Sequence, residues 1–315
     1  MHRRSLLLLP LASPALAQAA WPSRPLRFIV PFAPGGPVEV PARFIAERIA
    51  PELGQPVIVE AKPGAGGALG IQHVIQANDP HTLLVTTSAV AVLPAMLANA
   101  GFDPRTDLRP VTMLTDAPML LLARPDNPWR DLVGLLAAAR ARPGAISFGS
   151  SGAGSTTHLG GALLGFEAKV DLLHVPYRGA APAATALYAG DTDLLVTGMG
   201  EAMPHLREGR LVALCVTSAA RSPALPQVMA AAEVVPGYAM SIWYAMFGPR
   251  ALPDAAVARL NALIAPLRTG TSLAQRMQDS GIALLLDGPA PLAERLAREV
   301  PQWQRLAQQT GLKAD

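Results

Sequence analysis

The sequence predicts an α/β chain folded as two lobes that hinge about two crossings. Three observations carry this prediction. Short apolar runs alternate with helical patterns, as in a parallel sheet rather than a sandwich. The strand-loop-helix order breaks off after Ser88 and restarts at Ile146. The C-terminal helices have hardly a strand of their own, so they are expected to pack back onto the first lobe. The expected organisation is a leader at 1–17, a first lobe of 18–115 with 241–315, and a second lobe of 116–240, with crossings near Thr115 and Met240.

The elements follow in order. Leu26–Val30 reads as a strand that runs into a rigid turn, Pro31-Phe32-Ala33-Pro34-Gly35-Gly36-Pro37, and then a helix with Val40, Phe44, Ile45, Ile49 and Leu53 on one face. Val57–Val59 is a second strand, Gly64–Gly67 a loop, Leu69–Ala77 a helix and Thr82–Val85 a third strand. Val111–Leu114 and Met119–Ala123 read as two separate strands, and Leu132–Arg142 as a helix ended by Pro143-Gly144. The second series is strand Ile146–Gly149, loop Ser150–Ser155, helix Thr156–Gly165, strand Asp171–Val175, helix Ala181–Ala189, and strands Leu194–Val196 and Val212–Val216. Helices near 255–265, 272–280 and 291–309, with a strand at Ile282–Leu286, finish the chain. No repeat of short period is visible.

Composition bounds the function classes. The chain has 315 residues, 50% hydrophobic and 16% charged, which excludes disordered, collagen-like and disulfide-scaffold readings and gives enough length for two domains. Met1–Ala17 has the layout of a signal peptide: Arg3 and Arg4, an apolar run Leu6–Leu11, and Ala15-Leu16-Ala17 as the cleavage site. Pro10 and Pro14 argue against a buried helix there. Without the two leader arginines, the 26 basic residues become 24 against 23 acidic ones, close to neutral. Lys62, Lys169 and Lys313 are the only lysines and no basic block exists, so nucleic acid is not an expected partner. No apolar run is long enough to span a bilayer, so the mature chain is expected to be periplasmic and free of membrane insertion. Cys215 is the only cysteine; it rules out an intramolecular disulfide and reads as a buried strand residue.

Where strands open onto glycine-rich loops and helix N-termini, free N–H groups and the helix dipole favour anions. Three such loops occur: Phe32–Gly36, Gly64–Gly67 and Ser150–Thr157, with Thr86-Thr87-Ser88 adding hydroxyls. Singly, each reads as a tight turn; together they favour an anion-binding cleft, the third loop most of all. Nucleotide motifs fail, because no G-x-x-x-x-G-K-[ST] exists and Gly152–Thr157 lacks the last glycine of G-x-G-x-x-G. No cofactor is therefore expected. The G-x-S-x-G elbow is absent too, and His158, His174 and His205 lie on different elements, so a Ser/His/Asp set would have to be assembled in space. Histidine spacing also gives no metal site. Trp243 and Tyr244, at the second crossing, read equally as ligand-stacking or hinge-packing residues.

The ordered motifs Pro22–Gly36, Pro63–Gly67, Asp79–Ser88, Gly149–His158, His174–Gly179 and Val216–Pro226 resemble the tripartite tricarboxylate transporter substrate-binding proteins, the Bug or TctC family, over essentially the whole mature chain. The resemblance implies a type II periplasmic binding-protein (Venus flytrap) fold, a small carboxylate ligand, and no catalysis. It implies that Phe32, Gly35 and Gly36 hold one ligand carboxylate, and that Ser151, Gly152, Gly154, Ser155, Thr156 and Thr157 hold another; closure would bring Ser88, Tyr177 and Trp243 near it. Two departures matter. Where the family usually reads Gly-Gly-Gly/Ser-Thr-Asp, this chain has Gly35-Gly36-Pro37-Val38-Glu39, which removes an N–H donor and a hydroxyl. Where the family commonly carries Asp-Asn, this chain has Thr197-Gly198, so no acid is placed to pair an amino group, and the expected ligand is a carboxylate other than an amino acid. Glu39 and Glu201 read as solvated helix-start residues. The leading expectation is a monomeric periplasmic solute-binding protein that delivers its ligand to a membrane permease. A ligand-dependent sensor docking on a membrane receptor would use the same cleft, and a serine hydrolase is the third reading.

Overall fold

The computed structural model describes residues 21–310 apart from 33, 36, 37, 98, 99 and 178. The signal-peptide expectation therefore lies outside the described residues. The chain runs β1 (Leu26–Val30), α1 (Glu39–Leu53), β2 (Val57–Ala61), α2 (Ala68–Ala77), β3 (Thr82–Thr87), α3 (Ala89–Met96), α4 (Pro104–Asp107) and β4 (Leu108–Ala123). It continues α5 (Leu132–Ala141), β5 (Ser147–Ser150), α6 (Thr156–Ala168), β6 (Leu173–Pro176), α7 (Ala180–Ala189), β7 (Leu194–Gly198), α8 (Met199–Arg207) and β8 (Val212–Val216). It ends with β9 (Ser241–Pro249), α9 (Asp254–Ile264), α10 (Ser272–Asp279), β10 (Ala283–Leu284) and α11 (Pro289–Thr310).

The strands order as β2-β1-β3-β9-β4-β7-β5-β6, with β8 and β10 also on β4. β1 pairs in parallel with β2 and β3, and β5 in parallel with β6 and β7. The two parallel groups meet on β4, which pairs antiparallel with β9 as far as Pro118 and then with β7 and β8 from Met119 onward. One long strand thus serves both α/β halves. The expectation of two strands, Val111–Leu114 and Met119–Ala123, is corrected: the ladder runs on between them, with Pro118 in register with Ser241, and its irregularities lie near Pro110 and Met113.

Helix faces explain the packing. On α11, Leu292, Leu296, Val300, Trp303 and Leu306 recur at three- and four-residue spacing and are all buried, so this helix lies along β4 and α3. The buried stripe of α1 is Ala42, Ile45, Ala46, Ile49 and Leu53. Val40 and Phe44 were expected on it; Val40 is exposed instead, whereas Phe44 is half-buried and packs against this core with the Arg48 guanidinium over its ring. Cys215 is fully buried on β8, and burial pushes its thiol up to about 12.

One glycine has a packing role that propensity would miss. An alanine in a helix is usually favoured over glycine by about 1 kcal/mol. At Gly161 of α6, however, a Cβ would lie 2.2 Å from the Phe148 ring of β5. Gly161→Ala is therefore expected to destabilise the protein by about 1–3 kcal/mol through overpacking. Thermal denaturation checks this: a lower melting temperature is expected, and a higher one would contradict the close helix-strand approach.

Candidate ligand-binding cleft

A cavity of about 810 Å³ opens between the two halves. From the first half come Phe32, Val38, Gly66 and Thr87, with Val92, Leu93, Met96 and Leu97 forming an apolar wall on and just after α3. The second half contributes the loop Ser151–Thr157, together with Thr197, Gly198 and Glu201 at the junction of β7 and α8. Ile242 and Tyr244 of β9 complete the lining.

The polar side of the cavity is the loop from β5 into α6. Gly152 and Gly154 have φ of 140° and 71°, conformations that side chains with a Cβ rarely adopt, and these turn the backbone across the strand end. Thr157 ties the loop together. Its Oγ1 accepts the Ser151 N–H at 3.0 Å and lies 2.8 Å from Ser151 Oγ and 3.0 Å from Ser155 Oγ. Ser155 caps α6 by accepting the His158 N–H, and its hydroxyl donates to the Gly152 carbonyl at 2.7 Å. The N–H groups of Thr156 and Thr157 open the first turn of α6, where no carbonyl four residues earlier in the helix can accept them. They point the positive end of the helix dipole at the cavity. Thr197, 2% exposed, carries a buried Oγ1 without a partner among the described residues. The oxygens of an anion would meet these donors.

Beneath the loop, His158 and His174 stack with ring centroids 3.7 Å apart, although the sequence places them on different elements. His158 Nδ1 accepts the Gly154 N–H, which leaves its proton on Nε2, and His174 Nε2 lies 2.7 Å from Ser150 Oγ. Burial lowers both imidazoles, and His158 lowers His174 further, to about 4. The folded state therefore holds both rings neutral. The His174 contribution to stability is complete above about pH 6.5, the ordinary histidine value, and is lost as the pH falls toward 4. An NMR titration of His174 is expected to give a midpoint near 4; a midpoint between 6 and 7 would contradict the buried neutral pair. The Ser150–His174 contact does not expose a nucleophile, because Ser150 is fully buried and its hydroxyl turns to the Gly152 backbone.

Of the residues expected at the site, Phe32, Ser151, Gly152, Gly154, Ser155, Thr156, Thr157 and Thr197 line this one cavity. Gly36 lies outside the described residues. Four of the expected residues lie outside this lining. Trp243 is fully buried on the opposite face of β9, where its indole N–H donates to Glu299 at 2.9 Å; strand alternation presents Ile242 and Tyr244 to the cavity instead. Tyr177 packs against the second-half core, with its ring over Gly149. Ser88 is buried outside the lining, and its N–H donates to the Trp243 carbonyl. Gly35 is outside the lining as well, and its N–H donates to Glu39 Oε2 at 2.5 Å. Glu39 is accordingly buried rather than solvated; the Gly35 N–H first and Arg43 second hold its carboxyl below the ordinary carboxylate range. The sequence reading missed α3, Glu201 and Ile242 as cavity residues. The continuous apolar run Ala89–Met96 marks this segment as buried but carries no polar face to mark it as a helix.

Two α/β halves that share a long strand, and a cavity between them with one donor-rich corner and one apolar wall, define a two-lobed periplasmic binding-protein fold. The chain belongs to the tripartite tricarboxylate transporter family of receptors, TctC, whose pattern matches residues 41–312. The UPF0065 protein in the tcbD-tcbE intergenic region of Pseudomonas sp. (strain P51) is 36% identical over 299 residues, covering 94% of this chain and 89% of that one. Among solved structures, a TctC solute-binding protein from Polaromonas superposes with a TM-score of 0.81 at 27% identity, covering 92% of this chain and 99% of that one. MatC from Rhodopseudomonas palustris with bound malate superposes with a TM-score of 0.72 at 33% identity, covering 91% and 99%. Among the described residues, no helix is long and apolar enough to cross a membrane.

Proposed function

We propose that this protein is exported to the periplasm, captures a small carboxylate other than an α-amino acid between its two lobes, and delivers it to a tripartite tricarboxylate-type transporter. The observation that carries the reading is the corner formed by the Ser151–Thr157 loop, the first turn of α6 and the unpartnered Thr197 hydroxyl. Preorganised N–H and hydroxyl donors make charge-assisted bonds to a carboxylate roughly twice as strong as neutral ones. The malate in MatC supports the ligand class. Thr197 supplies no charge to pair an α-ammonium group beside the ligand carboxylate, and Glu201 is the one carboxylate side chain among the described lining residues. The apolar wall of Val92, Leu93, Met96 and Leu97 suits an aliphatic or aromatic body.

A thermal-shift screen of the mature protein against mono-, di- and tricarboxylates, aromatic acids and amino acids tests this. A ligand at ~100 times its Kd adds about 2.7 kcal/mol of stability. A rise in melting temperature with carboxylates lacking an amino group is expected. No rise with any carboxylate, or the largest rise with aspartate or glutamate, would overturn the reading.

A further inference from the structure

The cleft holds a fixed negative charge in an unexpected place. Glu201 is the third residue of α8 and lines the cavity, while no Lys or Arg does so among the described residues. Its carboxylate folds back over the N-cap: a Cβ built on Gly198 would meet Glu201 Oε2 at 2.5 Å. In that exposed position an acid gains from the positive end of α8. Burial pushes the Tyr244 phenol up to about 12, and the nearby Glu201 charge adds to that shift.

The sheet register sets this charge beside the donor corner. β5 and β7 are adjacent parallel strands, with Phe148 opposite Leu194 and Gly149 opposite Leu195. Their carboxyl ends therefore emerge side by side, roughly 4.8 Å apart, and α6 and α8 begin there with both N-termini at the cavity. Two such helix starts would suit two ligand anions. Here α6 keeps its first-turn donors open, next to the unpartnered Thr197 hydroxyl, while α8 already has a carboxylate from its own chain.

We propose that Glu201 is a specificity-determining residue that occupies the second anion position and restricts the cleft to monocarboxylates with an apolar body. This rests on the reading of the protein as a carboxylate binder. The ligand's single carboxylate takes the α6 corner, and its body lies against Val92, Leu93 and Met96. A second carboxylate reaching toward α8 meets a like charge with no Lys or Arg among the described lining residues to offset it, which disfavours it.

Calorimetric titration of the mature protein with hexanoate and benzoate, and with malate and adipate, tests the assignment. The wild type is expected to bind the better monocarboxylate at least 10-fold more tightly than either dicarboxylate. Glu201→Gln keeps a side chain that can fold back over the N-cap and is expected to narrow that ratio at least 5-fold, with a melting curve recorded to show that it folds. Equal or tighter binding of a dicarboxylate by the wild type would overturn the proposal, and so would an unchanged ratio in a folded Glu201→Gln protein. Failure to bind all four acids, and every other carboxylate of the thermal screen, would instead overturn the carboxylate reading beneath it.

Discussion

Replacing Thr157 with valine is expected to weaken carboxylate binding roughly 30-fold, the equivalent of about 2 kcal/mol for charge-assisted hydrogen bonds lost from a preorganised site. Valine keeps the shape of threonine but cannot accept the Ser151 N–H or meet the Ser151 and Ser155 hydroxyls, all within 3.0 Å of Thr157 Oγ1. The turn through Gly152 and Gly154 then loses the group that fixes it above α6. Thr157→Ser restores a hydroxyl at the same atom and is expected to recover most of the affinity. The pair of titrations, run with the tightest carboxylate of the screen, is read against circular dichroism to confirm that both proteins fold. Equal affinity for Thr157→Val and wild type would show that the ligand anion lies elsewhere.

Replacing Arg295 with alanine is expected to produce the largest loss of stability. Arg295 projects from α11 onto both strands where the halves meet. It donates to Asp116 of β4 at 2.6 Å, to Glu299 at 2.6 Å and to Ser241 at the start of β9, with its guanidinium 5.6 Å from the Trp243 ring. Trp243 in turn donates to the other oxygen of Glu299. Removing the cation leaves Glu299, 12% exposed, and Asp116, 30% exposed, without it. Breaking a buried pair costs about 3–5 kcal/mol, and the partial solvation of Asp116 places this one near 3. For a chain of this size that corresponds to a fall in melting temperature of roughly 5–10 °C. A fall of less than 2 °C would mean that the network contributes little to joining the halves.

The same network marks where the sequence stops being legible. The parallel units were readable because apolar strands, glycine turns and amphipathic helices repeat in order, and α11 was readable from its three- and four-residue stripe. Ser151–Thr157 was readable as a donor loop because hydroxyl and glycine residues precede a helix. What stayed hidden depends on facing. Trp243 and Tyr244 are neighbours on one strand, and nothing local says which of the two points at the cavity and which meets Glu299. The stack of His158 on His174 joins residues from α6 and β6, and only the β5–β6 register brings them together. Ala89–Met96 is apolar throughout, so it has no polar face to announce a helix, and its Pro94 argues against one. Glu39 was read as solvated because acids at helix starts usually are; here a backbone N–H from Gly35 draws it inward.

The most direct test of the central claim is a crystal structure of the protein with the tightest-binding carboxylate from the screen. The ligand carboxylate is expected within hydrogen-bonding distance of the Thr156 and Thr157 N–H groups and the Thr197 hydroxyl, with its body against Leu93 and Met96. A carboxylate found instead in the basic hollow of about 480 Å³ beside Arg109 and Arg250, with the cavity between the halves empty of ligand, would contradict it.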